Sequence, residues 1–239
     1  MSDCAYKRIL LKVSGESLAG DSVLGIDMNA VNRICEDIAE VYSRGVEIGI
    51  VVGGGNIFRG GRSSGNLQEV ERSTGDSIGM LSTVINALVL DSVLRKINIP
   101  TAILSSIFMP QISEVFSYRN ATACFSRGCV VIFSGGTGNS FLTTDSAAAL
   151  RAIEIGADVI LKGTQVDGVY SSDPKKHPSA TRFDRLTYDQ IIEKGLEVMD
   201  LASVVLARDG SMPIIVFSIH SPRGILNALL GLGSRTIIS

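Results

Sequence analysis

Short apolar runs, several of them followed by glycine-bearing turns, alternate along this chain with stretches whose apolar residues recur every three or four positions. Residues 7–13, 46–52, 101–104, 129–133, 159–162 and 213–217 are runs of the first kind, rich in Ile, Leu and Val, and they predict buried parallel strands. Shorter strands are predicted at 181–186 and 236–238. The second kind predicts helices. Asp27 is placed to cap one that runs to Arg44, with Val31, Ile34, Cys35, Ile38, Val41 and Tyr42 on one face and Gly45 beyond its end. Residues 70–96 predict a long helix, broken near Gly75 and Asp76 or near Gly79. Further helices are expected within 110–127, over 145–153 with Thr143 or Thr144 as N-cap, over 188–194, from 198–202 onward, and after Pro222, which suits a first helical position. Strand–helix alternation from end to end predicts an α/β fold.

The turns after the strands carry the candidate chemistry. Residues 134–148, SGGTGNSFLTTDSAA, join a strand to a helix through Gly135, Gly136 and Gly138. Glycines let backbone approach a ligand closely. Asn139, Ser140, Thr143 and Thr144 add short polar groups, and the helix start adds free N–H groups and a positive dipole end. Together they predict an anion site. A second loop, 53–61, reads GGGNIFRGG. A dinucleotide fingerprint would need glycine where Phe58 stands and would open a helix, whereas 62–68 reads as loop, so phosphate contact by Arg59 is the better reading. Lys12, at a strand end before Ser14 and Gly15, is placed where α/β proteins set ligand contacts. Lys162 ends another strand, ahead of the turn-rich residues 163–174. There Val166, Val169 and Tyr170 either hold a purine base or pack on the core. Asp76 is read evenly as a helix cap or a ligand for sugar hydroxyls, and Asp200 as an N-cap or a group aimed at the site.

Composition narrows the classes. With 239 residues, 45% of them hydrophobic, the chain can bury a large core. A net charge of −2, scattered basic residues, 5% aromatics and no Trp argue against nucleic-acid or membrane-surface partners. No apolar run suits a signal peptide or a membrane span, and Cys4, Cys35, Cys124 and Cys129 have no CxxC spacing, so reduced thiols in a cytoplasmic protein are expected. No metal site made by protein side chains is expected. The absence of any Gly-Lys pair excludes a Walker A loop, and HRD and DFG motifs are missing. His177 and His220, both outside the glycine loops, support no Ser-His-Asp or Cys-His arrangement.

Five blocks, LLKVSGE at 10–16, VVGGGNIFRG at 51–60, TGNSFLTTDSAA at 137–148, LKGTQVDGVYSSDP at 161–174 and VMDLAS at 198–203, make the chain similar to the bacterial uridylate (UMP) kinases of the amino-acid-kinase superfamily. The resemblance runs nearly end to end. It implies a three-layer αβα sandwich with a mainly parallel sheet, Mg²⁺-dependent transfer of the ATP γ-phosphate to UMP, and a homohexamer. It implies one domain, with an acceptor part over roughly 1–157 and an ATP part over roughly 158–239. By motif, Lys12, Val13, Ser14 and Gly15 would face the ATP phosphates. Gly54 would bind UMP, Gly55 and Arg59 would lie where the nucleotides meet, and Asp76 would hold the UMP ribose. Thr137, Gly138, Asn139, Ser140, Phe141, Leu142, Thr143 and Thr144 would cradle the UMP phosphate and uracil, and Thr164, Tyr170 and Asp173 would bind ATP. Gly20, Asp21, Ser22, Val23, Leu24 and Gly25 match a loop used for GTP activation, and UTP would inhibit. Lys162, Asp145 and Asp200 rank below Lys12 as catalytic candidates. Ser140 stands where the family often has Pro, and Gln165 where it has Asn or Lys. A kinase of the superfamily acting on a carboxylate or carbamate, and a nucleotide sensor without turnover, are the alternatives.

Overall fold

The computed structural model describes residues 5–59 and 70–239. Cys4, Gly60, Gly61 and the loop reading of 62–68 lie outside the described residues. In chain order the elements are β1 (Arg8–Val13), α1 (Met28–Tyr42), β2 (Glu47–Val52), α2 (Arg72–Lys96), β3 (Thr101–Ser105), β4 (Glu114–Val115), α3 (Tyr118–Ser126), β5 (Val130–Ser134), α4 (Thr144–Glu154), β6 (Val159–Thr164), β7 (Val169–Tyr170), β8 (Arg182–Phe183), β9 (Arg185–Leu186), α5 (Tyr188–Lys194), α6 (Leu201–Asp209), β10 (Ile214–Ser218), α7 (Gly224–Leu229) and β11 (Arg235–Ile238). A 3-10 turn over Gly15–Leu18, which the sequence pattern did not suggest, follows β1.

Nine strands form one sheet in the order β4-β3-β5-β2-β1-β6-β10-β11-β9, and β7 pairs with β8 apart from it. Every pair in the large sheet is parallel except β10 with β11. Successive residues of a strand point to opposite faces, so apolar runs without alternation are buried on both. Ile9, Leu11 and Val13 of β1 face a core with Ile34 and Ile38 of α1, Leu90 and Leu94 of α2, and Ile225 and Leu229 of α7. Leu10, between them, faces the opposite core with Phe125 of α3, Ala148 and Ala152 of α4, Ile191 of α5 and Val204 of α6. The result is the three-layer αβα sandwich. Each such Leu or Ile contributes roughly 1.5–3 kcal/mol by leaving water.

Local chemistry explains the element ends. Asp27 accepts the N–H of Asn29 at 2.8 Å and so starts α1. That helix stops at Tyr42, two residues before the expected end, and Gly45 turns away with φ +78°. α2 runs unbroken through Gly75 and Gly79. Each glycine costs roughly 1 kcal/mol against alanine, but Gly79 is where the helix meets the glycine loop: a Cβ on Gly54 would come within 2.8 Å of its carbonyl oxygen. The predicted strand at 181–186 is two strands. The chain bends at Asp184, whose carbonyl accepts the N–H of Ile237 at 3.0 Å, so β8 pairs with β7 and β9 with β11. Pro222 does not open α7. It lies in a turn closed by Gly224 N–H on the Ser221 carbonyl at 2.9 Å, a position that suits its fixed φ.

Candidate active site

Parallel β1, β2, β5 and β6 deliver their C-terminal ends, and the loops that follow, to one edge of the sheet. The first two loops touch through backbone. A Cβ on Gly15 would stand 2.7 Å from Gly55 N and 3.0 Å from Gly53 O. Only glycine permits that approach.

Lys12 and Lys162 face each other in register on β1 and β6. Asp145, in the first turn of α4, lies between their side chains. Its Oδ1 is 2.7 Å from Lys12 Nζ and its Oδ2 is 2.6 Å from Lys162 Nζ. Both lysines are buried, at 8% and 5% exposed. Burial pushes the Asp145 carboxyl up, but the two ammonium groups outweigh it and hold it at about 2. Burial, with the Lys12 charge, brings Lys162 down to about 8 against the pull of Asp145. The cluster keeps one net positive charge at the end of the sheet, an arrangement suited to a polyanion.

Of the two readings of Asp200 the structure shows the N-cap, and the same carboxylate makes further contacts. It caps α6 by accepting Ser203 N–H at 3.0 Å, and it accepts the hydroxyls of Ser146, at 2.9 Å, and of Thr143. Thr143 in turn caps α4 by accepting Asp145 N–H at 3.0 Å. Asp200 therefore fixes the helix start that carries Asp145. Thr144 is the first residue of α4 and Thr143 its cap, which settles which of the two threonines serves.

The loop after β5 uses its glycines in left-handed backbone, with φ +74° at Gly135, +58° at Gly136 and +80° at Gly138. Thr137 and Asn139 bond one another in a local turn. Phe141 has φ +71°, is exposed with Leu142, and lies under the Arg72 guanidinium. Its N–H donates to Asp76 Oδ2 at 2.8 Å. Asp76 is no cap, because α2 begins at Arg72 after Glu71, and of the two readings only the ligand role stays open. Ser140 is half-buried.

Two residues central to the geometry carry no sequence signal. Asn56 and Asn86 are both fully buried. Asn86 Nδ2 donates to Gly53 O and to Asn56 Oδ1, each at 2.7 Å, and Asn56 Nδ2 donates to Gly25 O at 2.9 Å. The pair fixes the loop that holds Gly54 and Gly55, and ties it to the exposed loop of Gly20, Asp21, Ser22, Val23, Leu24 and Gly25. Arg59 pairs with Glu16 at 2.9 Å and donates to Gly55 O at 3.1 Å, bridging the loops after β1 and β2.

Beyond β6 lies a cleft of about 540 Å³, lined among others by Thr164, Val166, Val169, Tyr170, Asp173 and Val198. The Tyr170 hydroxyl donates to Asp167 at 2.6 Å, which sets its ring along the cleft wall. Thr164 accepts Val166 N–H at 3.2 Å, Asp173 accepts Lys175 N–H at 2.9 Å, and Gln165 bonds His220 at 2.6 Å.

The site thus lies on a doubly covered, mainly parallel α/β sheet, with glycine loops, two buried lysines and a bridging aspartate at its carboxyl edge. Residues 7–218 match the Amino acid kinase family, and the chain belongs to that family. It is 59% identical to "Uridylate kinase" of Rhizobium meliloti (strain 1021) over 98% of this chain and 97% of that protein. It is likewise 59% identical to "Uridylate kinase" of Agrobacterium fabrum over 98% and 96%. The crystal structure of UMP kinase from Ureaplasma parvum superposes with a TM-score of 0.92 at 35% identity, covering 98% of each chain, and that of UMP kinase from Bacillus anthracis with 0.92 at 37%, covering 98% and 96%.

Proposed function

We propose that this protein is a UMP kinase, transferring the γ-phosphoryl group of ATP to UMP. The observation that carries the reading is the Lys12–Asp145–Lys162 cluster at the edge where the glycine loops meet. A phosphate oxygen of UMP attacks the γ-phosphorus in line, the new O–P bond forms, and the bond to the β-phosphate oxygen breaks to leave ADP. UMP's second pKa lies near ~6, so its phosphate is already ionised at neutral pH and no general base is required. The difficulty is bringing two polyanions together. Lys12 meets the transferring group, Lys162 adds charge behind it, and Asp145 and Asp200 orient them. Ser14, Gly15, Gly55 and Arg59 hold the ATP phosphates, with the cleft of Thr164, Tyr170 and Asp173 for the nucleoside. Gly54, Asp76 and residues 137–144 hold UMP, so acceptor contacts come from 1–157, while 158–239 hold the ATP nucleoside and the loops after β1 and β2 its phosphates.

Magnesium fits this site as an ion held mainly by the ATP phosphates. Both Asp145 oxygens are engaged by ammonium groups, and those of Asp200 by hydroxyls and an N–H. When bound, it neutralises charge on the transferring phosphates. The same resemblance supports a cytoplasmic homohexamer serving de novo pyrimidine nucleotide synthesis, activated by GTP through residues 20–25 and inhibited by UTP.

A coupled assay with ATP, Mg²⁺ and a panel of UMP, acetylglutamate, aspartate and carbamate tests the reading. UDP formation with UMP alone is expected. Turnover of a carboxylate or carbamate in place of UMP, or UMP binding without UDP, would overturn it.

A further inference from the structure

Arg151, on α4, is 4% exposed, and so buried a guanidinium needs partners. One is Glu154, and another is the ring of Phe116, whose centroid lies 3.7 Å from the guanidinium carbon. The third leads to the loop after β5. Arg151 Nη2 donates to Ser106 Oγ at 2.9 Å, and Ser106 Oγ donates to Gly136 O at 2.8 Å. The guanidinium polarises the hydroxyl, so the second bond gains strength from the first. Ser106 also borders this loop by contact, since a Cβ on Gly138 would come within 3.3 Å of its own Cβ.

The carbonyl so held belongs to the peptide between Gly136 and Thr137. A trans peptide is planar, and its C=O and N–H point in opposite directions. Fixing the carbonyl on Ser106 therefore fixes the Thr137 N–H on the opposite side. Among the described residues that N–H has no acceptor. Gly136 has φ +58°, in backbone that glycine visits freely. Without the relay this peptide could flip within the turn that Gly138 N–H closes on the Gly135 carbonyl at 3.0 Å, and the N–H with it.

We propose that Arg151 and Ser106 are positioning residues that aim the Thr137 N–H at the bound acceptor nucleotide. This deepens the UMP kinase reading and rests on it. Neither side chain needs to touch the nucleotide. The relay acts on acceptor binding alone, because the donor loops after β1 and β6 share no hydrogen bond with Ser106 or Arg151 among the described residues.

The experiment is calorimetric titration of the full-length protein with UMP and, separately, with ATP, on wild type, Ser106→Ala and Arg151→Met, each with a melting curve. Ser106→Ala is expected to weaken UMP binding roughly 3- to 10-fold, the scale of one net hydrogen bond, with ATP binding within about 2-fold of wild type. Arg151→Met should do the same, and Ser106→Thr, which keeps the hydroxyl, should restore UMP affinity. Unchanged UMP affinity in Ser106→Ala, or equal weakening of both nucleotides alongside a lowered Tm, would overturn the proposal. Should Arg151→Met fail to fold, the Ser106 variants decide alone. Failure of the wild type to bind UMP would instead remove the UMP kinase reading, and this assignment with it.

Discussion

Lys12 and Lys162 stand opposite each other on neighbouring parallel strands, and the carboxylate of Asp145 bridges their ammonium groups. Two buried like charges at this spacing repel strongly without it. Asp145→Asn should therefore lower stability by about 3–5 kcal/mol, the scale for breaking a buried ion pair. Chemical denaturation checks this, and a loss under 1 kcal/mol would mean that the lysines find other partners.

Lys12→Ala tests the transferring role. Loss of one electrostatic contact to the transition state costs roughly 10²-fold or more in kcat. Steady-state turnover of a folded variant at near wild-type rate would remove Lys12 from the chemistry.

Lys162 predicts an alkaline limb. Its folded pKa of about 8 lies below the ordinary 10.5, so between these values the unfolded chain binds more protons and its contribution to stability rises with pH. Activity moves the other way, because the ammonium is lost. Turnover should decline above about pH 8, and Lys162→Arg, which stays charged, should lack that decline. A limb of the same position in both proteins would assign it elsewhere.

The acidic limb should follow the substrate. UMP's phosphate protonates near pH ~6, and no histidine is placed to act as base. His177→Gln and His220→Gln are expected to leave this limb in place, although His220 bonds Gln165 beside the cleft. Its disappearance in either variant would contradict a substrate phosphate as unaided nucleophile.

Asp76 accepts a backbone N–H from Phe141 and caps nothing. Asn keeps an acceptor oxygen but loses the charge that strengthens a hydroxyl contact. Asp76→Asn should melt within a few degrees of wild type, with KM for UMP raised and KM for ATP little changed. The penalty should shrink with dUMP if the missing hydroxyl is the partner. Parallel rises for both substrates would point to a purely structural carboxylate.

Much of this was legible in the sequence, and the reasons differ by residue. The apolar runs of β1 and β5 could be read because strands buried on both faces admit few polar side chains. Lys12 and Lys162 stood out as charges at the ends of such runs, but nothing local told that they would lie in register. The Asn56–Asn86 pair was invisible: one polar residue on an apolar helix and another in a loop look like ordinary surface positions until the fold brings them together. Glu16, which meets Arg59, was hidden in the same way. The bend at Asp184 was missed because its cause, Ile237, comes from the far end of the chain.

The first strand of the chain is also the middle of the sheet, between β2 and β6. During synthesis β1 can pair with β2 early, but its other edge stays open until residues 159–164 have been made. An unpaired edge of buried Ile and Leu invites misassociation, and contacts between such distant segments form slowly. A ribosome-released fragment ending before β6 would have Lys12 and Asp145 but neither Lys162 nor the strand that carries it, so the cluster is complete only after most of the chain has emerged.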